Sequence, residues 1–210
     1  MVVGLVAEAR IARLLGWRIA IGGGTARGAE AAAGQLIEAG VRALVSFGLA
    51  GGSDPALRPG TIIVPTRVIR NGESYYTDPG LMHRLGGPTP HALFATDQVV
   101  AKPAIKRRLY ETTGAAALDL ESGAVAHAAS VRRLPFAVLR GICDPAERCL
   151  PAAALGALDA RGGIAVWRVL ASLAADPRQL PLLFHLAADA AAARRSLRRR
   201  IKELAQAPVT

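Results

Sequence analysis

Ala116-Ala117-Leu118-Asp119-Leu120-Glu121-Ser122-Gly123-Ala124 is an apolar run that ends in two acids and passes straight into a small-residue segment of helical spacing, Ser122 to Arg132. A short, continuous apolar run suits a strand buried on both faces, and acids at its end then stand at the carboxyl edge of a sheet. The pattern repeats downstream, where the run Phe136 to Ile142 closes on Cys143-Asp144-Pro145-Ala146. Two acids at the carboxyl ends of neighbouring strands in an open α/β sheet project into one crevice, where one can grip hydroxyls and the other can share a proton.

Similar runs occur at Val2 to Ala7, Ile19 to Ile21, Ala43 to Phe47 and Thr61 to Val64. Ala-rich segments with helical spacing separate several of them: Ala26 to Ala39, Pro103 to Thr112, Ser122 to Arg132 and Leu150 to Ala174. Alternating strands and helices predict an α/β fold, a single domain with a mixed central β-sheet flanked by helices. Residues 70 to 97 interrupt the alternation with Asn71-Gly72, Asp78-Pro79-Gly80 and Gly86-Gly87-Pro88, and are read as a long binding loop or lid carrying Tyr75, Tyr76, His83 and His91.

The chain has 210 residues, 51% of them hydrophobic, enough for one large core. Apolar stretches are broken by Arg168 and by Pro181, His185 and Asp189, so none reaches the roughly 18 residues a bilayer span requires. With Glu8 inside the first apolar run and no basic leader before it, a cytoplasmic location is expected. Cys143 and Cys149 lack the partners of a zinc site or a disulfide framework, and no metal or cofactor is expected. The net charge is +10, and residues 161–210 hold nine Arg/Lys against three Asp/Glu. Aromatic residues make up 4% and none is interleaved with the arginines, which disfavours nucleic acid as a partner.

Within residues 176–210, Leu186, Ala190, Ala193, Leu197, Ile201 and Leu204 step by three or four, leaving Arg194, Arg195, Arg198, Arg199, Arg200 and Lys202 to the other faces. This basic amphipathic C-terminal helical tail is either a surface helix with a solvated charged face or a helix lying on an anionic membrane. Residues 1–175 form the domain proper.

Gly22-Gly23-Gly24-Thr25-Ala26-Arg27-Gly28 follows a short strand and opens a helix. Its spacing is GxGxxxG with no acid at the dinucleotide-binding position, so it reads as a glycine turn. A second cluster, Ser46-Phe47-Gly48-Leu49-Ala50-Gly51-Gly52, is followed by Arg58-Pro59-Gly60-Thr61-Ile62-Ile63-Val64. Together with Ala95-Thr96-Asp97-Gln98-Val99, Leu118 to Ala126 and Leu134 to Asp144, these segments resemble, in order, the motifs of the nucleoside phosphorylase and nucleosidase superfamily over about residues 1 to 170. The resemblance implies a nucleoside phosphorylase-like catalytic domain over 1–175 that cleaves an N-glycosidic bond without a cofactor.

Carried over by position, the resemblance implies that Glu121 takes the ribose hydroxyls, Asp144 meets N7 of the purine, and Glu8 activates the attacking water. It further implies that Phe47, Gly48, Ala50, Gly51, Val99 and Leu120 line the base and sugar pocket. Each acid has a plainer reading. Glu121 and Glu8 also suit the first turn of a helix, and Asp144-Pro145-Ala146-Glu147 reads as an N-cap with proline at N1. Ser46 and Leu49 stand where phosphorylases of the superfamily hold phosphate, with no arginine between Ala43 and Gly52, which favours water as nucleophile, although Arg27 or an arginine of a partner subunit could still serve.

Within the superfamily the sequence is most similar to the hopanoid-associated phosphorylase branch, with its shortened amino-terminal motif and Leu-Glu-Ser-Gly helix start. That branch implies removal of adenine from adenosylhopane. The substrate is then a nucleoside-lipid, the enzyme peripheral on the inner membrane and homodimeric. The alternatives are a methylthioadenosine/S-adenosylhomocysteine or futalosine-type nucleosidase, and, from another class, a non-catalytic nucleoside-binding or membrane-associated scaffold protein.

Overall fold

The computed structural model describes residues 1–151, 154, 171–172 and 175–207. The strands are β1 (Val2–Val3), β2 (Ala20–Ile21), β3 (Leu44–Gly52), β4 (Ile62–Ile63), β5 (Arg67–Arg70), β6 (Glu73–Tyr76), β7 (Ala92–Ala95), β8 (Ala115–Asp119) and β9 (Phe136–Asp144). The helices are α1 (Val6–Ala12), α2 (Ala26–Glu38), α3 (Pro79–Arg84), α4 (Pro103–Thr113), α5 (Ser122–Val131) and a last one, α6 (Leu180–Gln206). Most of the expected Leu150 to Ala174 helix lies outside the described residues.

The nine strands of the described residues join one mixed sheet, in agreement with the fold class expected from sequence. Strand β3 is its hub: it pairs in parallel with β1 and β9 and, through Gly51 and Gly52, antiparallel with the end of β8. Between Ala50 and Gly51 the register with β9 shifts by one residue, Cys143 of β9 being the extra one, and Gly51 and Gly52 then also pair with β8. These pairings bring the carboxyl ends of β1, β3, β8 and β9 together, the placement that open α/β sheets use for ligands.

Each face of the sheet has its own core. Ala29, Ala32, Ala33 and Leu36 of α2 and Ala124, Val125 and Ala129 of α5 cover one face, their small side chains letting both helices pack closely. Ala9, Ile11 and Ala12 of α1, Met82 of α3, and Leu197 and Ile201 of α6 cover the other. Ala193, Leu197 and Ile201 are completely buried, so the apolar stripe in this half of α6 is used inside the fold. Arg198 and Arg199 point to solvent. Among the described residues no helix is long and apolar enough to cross a membrane.

Residues 70 to 97 are not the long loop expected from their turn formers. They hold the β5–β6 hairpin, α3 and β7. Asn71 and Gly72, with φ of 51° and 80°, make the two-residue hairpin turn that such a pair favours. Asp78 caps α3 by accepting from Leu81 N at 2.8 Å, with Pro79 in its first turn. The turn formers punctuate short elements here.

Leu197→Ala should lower the unfolding free energy by roughly 2–5 kcal/mol, the cost of emptying a fully buried leucine site. Urea denaturation measures it, and an unchanged midpoint would show that α6 is not held on the sheet.

Candidate active site

Asp119 ends β8 and turns the chain into α5. Its Oδ1 accepts from Glu121 N at 3.2 Å and Ser122 N at 3.0 Å, and its Oδ2 from Ser122 Oγ at 2.5 Å. Asp119 thus supplies the acceptors that the helix start needs. Glu121 occupies the cap position without a side-chain cap bond, so its carboxylate is released towards the cavity. The opposite segment is cut back to glycine: a Cβ on Gly4 would lie 2.6 Å from Glu121 Oε1.

Arg140, in the middle of β9, is completely buried beneath these acids. Its Nη2 donates to Ser46 Oγ at 2.7 Å, Ser122 Oγ at 3.2 Å and Glu121 Oε2 at 3.3 Å. Nε lies 2.7 Å from Asp119 Oδ2, an ion pair whose N–H is not aligned as a hydrogen bond, and Nη1 has no partner. Burial opposes the Arg140 cation, but Asp119, Glu121 and Glu8 outweigh it and hold its pKa above the usual value.

Glu8 sits in the first turn of α1. Its Oε2 accepts from Gly4 N at 3.0 Å and Leu5 N at 2.8 Å, and its Oε1 reaches across to Leu49 N at 2.9 Å. Glu8 is therefore a helix-start acid and a cavity acid at once. A Cβ on Gly48 would lie 2.5 Å from Arg140 Nη1 and 2.6 Å from Glu8 Oε1, so Glu8 and Arg140 close in on a backbone position that only glycine leaves open. Burial raises the Glu8 pKa, opposed by Arg140 and by the amides of Leu5, Leu49 and Gly4.

Asp144 ends β9. Residues 145–150 contain a turn and no helix, so Asp144 is not an N-cap. Its Oδ2 pairs with Lys106 Nζ at 2.5 Å, and its buried Oδ1 has no partner. Burial raises the Asp144 pKa, against the attraction of Lys106. Burial also raises the pKa of Glu121, to about 8, opposed by Arg140 and reinforced by Glu8 and Asp119. The neighbouring Cys143 thiol is pushed up to about 12 by burial, with Asp144 and Glu8 adding to it, which leaves it unreactive.

Glu8, Glu121 and Asp144 line one cavity of about 550 Å³, within the range of small-molecule sites. Ala50, Gly51, Val99 and Leu120 also line it, as does Gly24 of the glycine turn. Phe47 and Gly48 do not. Phe47 is on the same face of β3 as the cavity-lining Leu49 but one step further back, wholly enclosed in the core that also holds Leu197, and Gly48 lies behind the wall between Glu8 and Arg140. Ser46 is likewise buried away from the cavity, bonded to Ser122 and Arg140. Arg140 and Lys106 are participants that sequence reading left unassigned. Arg140 was visible as a lone cation inside an apolar strand, whereas Lys106 gave no signal on a charged helix.

The far walls are apolar, with Leu118 and Leu150 on one side and Leu183, Leu186, Ala187 and Ala190 of α6 on another. Glu121 Oε1 and Asp144 Oδ1 are thus buried acceptors without donors, a costly state that a ligand rich in hydroxyl or N–H groups would relieve. Among the described residues no three His, Cys, Asp or Glu side chains are grouped to hold a metal ion.

An acid-floored cavity at converging strand ends of a mixed α/β sheet defines a small-molecule site in a fold with many known relatives. The sequence profile of the phosphorylase superfamily matches residues 11–93 and 91–160, and the chain belongs to that superfamily. No curated protein matches it. Among solved structures, the chain is similar to a putative 5'-methylthioadenosine/S-adenosylhomocysteine nucleosidase from Francisella philomiragia, with TM-score 0.69, 16% identity, and coverage of 97% of this chain and 96% of the other. It is also similar to the Helicobacter pylori futalosine hydrolase, with TM-score 0.67, 16% identity and 96% of each chain covered. A mutant H. pylori 5'-methylthioadenosine nucleosidase with 5'-methylthioadenosine in its active site matches at TM-score 0.67 and 15% identity, again over 96% of each chain. At these identities the likeness is one of fold.

Glu121 binds its proton more tightly in the folded protein than when unfolded, where glutamate titrates near pH 4.3. Its contribution to stability is complete below about pH 4.3 and is lost as pH rises towards about 8. Glu121→Gln should therefore flatten the decline of unfolding free energy between pH 5 and 8, measured by urea titration at each pH, whereas a parallel decline in both proteins contradicts the assignment.

Proposed function

We propose that the protein is a purine nucleosidase that hydrolyses the N-glycosidic bond of an adenosine-containing substrate. The observation that carries this reading is the pair of donor-less carboxyl oxygens, Glu121 Oε1 and Asp144 Oδ1, in one cavity with Glu8. Glu121 accepts from the ribose 2'- and 3'-hydroxyls. Asp144, its pKa raised so that it can hold a proton, donates to purine N7 as the base leaves. Glu8 takes a proton from a water held in the cavity, and the water oxygen bonds to C1' as the bond from C1' to N9 breaks. Glu8, Asp119 and Glu121 surround one guanidinium, so the floor is rich in carboxyl oxygens, which suit a sugar that becomes cationic.

Water is favoured over phosphate. The amides of Gly4, Leu5 and Leu49, which could bind an anion, already donate to the Glu8 carboxylate. Leu49 adds an apolar side chain at the same place.

For the substrate, adenosylhopane is the reading favoured here, cleaved to ribosylhopane and adenine in hopanoid lipid biosynthesis. Support comes from the apolar α6 wall of Leu183, Leu186 and Ala187, which suits a bulky apolar 5'-group. Leu180, Leu182 and Phe184 are exposed on the same helix, Phe184 at 67%, and give a surface on which a homodimer could rest at the inner membrane. Arg194 favours a second reading. It lines the cavity and meets no carboxylate among the described residues, which suits a 5'-group bearing a carboxylate, as in S-adenosylhomocysteine or a futalosine-type nucleoside.

Base release from adenosylhopane in detergent, methylthioadenosine, S-adenosylhomocysteine and futalosine ranks the substrates. Adenosylhopane should show the highest kcat/KM. Turnover of methylthioadenosine but not adenosylhopane, by a protein that ignores anionic liposomes, overturns the lipid assignment. Asp144→Asn should lower kcat by about 10²- to 10⁴-fold with the fold intact by circular dichroism; undiminished turnover would remove Asp144 from the chemistry, and release of no base by the unmutated protein would leave a binding or scaffold role.

A further inference from the structure

Helix α4 buries the wrong residue for an amphipathic surface helix. Ile105 is 48% exposed, while the neighbouring Lys106 is 1% exposed and is the buried side chain of the helix. Taking an ammonium out of water is costly even when it is paired, and a methionine of similar length would fill the same space without that cost. Packing alone does not account for the lysine.

All three Nζ protons of Lys106 are used: on Asp144 Oδ2 at 2.5 Å, Pro145 O at 3.0 Å and Arg148 O at 3.2 Å. The ammonium has no N–H left for a ligand, although the side chain borders the cavity. What it leaves free is Asp144 Oδ1, buried and without a partner. It also ties down the turn after β9, whose Arg148 pairs with Asp189 of α6.

We propose that Lys106 is a positioning residue for Asp144: it holds Oδ2 and the following turn so that Oδ1 is the one carboxyl oxygen presented to the base of the bound nucleoside. The kinetic side of this inference rests on the nucleosidase reading above; the geometric side does not. A consequence concerns pH. Besides Lys106, the charged or titratable groups near Asp144 are Arg148 on the turn, Asp189 and Arg194 on α6, and the neighbouring Cys143. Lys106 is the one whose attraction most opposes the upward push of burial on Asp144. Removing it should make Asp144 keep its proton to higher pH.

The test uses the full-length protein, with Lys106→Met and, should that variant not fold, Lys106→Gln. Carbon-13 NMR of the Asp144 carboxyl should show its titration moving to higher pH in the variant, with or without enzymatic activity. For adenine release, kcat should fall at least tenfold with KM little changed, and the alkaline limb of the pH profile should move upward. In an Asp144→Asn background the lysine change should cost nothing further, because a positioning residue acts only through the group it positions. An unmoved Asp144 titration, or a loss that adds fully to that of Asp144→Asn, overturns the proposal. If the wild-type protein releases no base from any substrate tried, the nucleosidase reading fails while the NMR titration still decides whether Lys106 governs Asp144.

Discussion

A single guanidinium sets the shape of this cavity. Arg140 lies on a fully buried strand, where an unpaired cation would be prohibitive, and it is tolerated because two carboxylates and two hydroxyls converge on it. The requirement runs both ways. Asp119 and Glu121 are both tied to the one guanidinium, so the acids of β8 and α5 are fixed to β9 across the sheet. The excess of acid over base that remains is what the cavity offers its ligand.

The pairing of β3 lets these groups meet. The strand runs beside β9 along its length and meets β8 at its end, through Gly51 and Gly52. Gly4 and Gly48 then allow Glu121 and Glu8 to approach the backbone at distances that any side chain would block. Charge supplies the attraction and missing side chains supply the room.

Much of this was legible in the sequence. Continuous apolar runs closing on Asp119, Glu121 and Asp144 gave the strands, their direction and the crevice, because burial on both faces writes an unbroken signal. Residues 70 to 97 were misread because turn formers mark the ends of short elements as readily as they mark loops. Asn71-Gly72 is as good a hairpin signal as a loop signal. Phe47 was assigned to the pocket by position, but it stands one strand step behind Leu49 and is wholly enclosed by core. Lys106 was illegible because its burial depends on Asp144, thirty-eight positions away, and no local pattern records such a pairing. The charge of α6 was plain, whereas the use of its apolar stripe depended on what the sheet left uncovered.

The two thiols differ in a way that is of practical use. Cys143, half-buried in the cavity wall, has its thiolate suppressed, while Cys149 is exposed shortly after Asp144. A maleimide dye added to the unmodified protein therefore attaches at one place, on the segment beside the cavity. Its emission offers a direct optical reporter of ligand entry, with no engineered cysteine required.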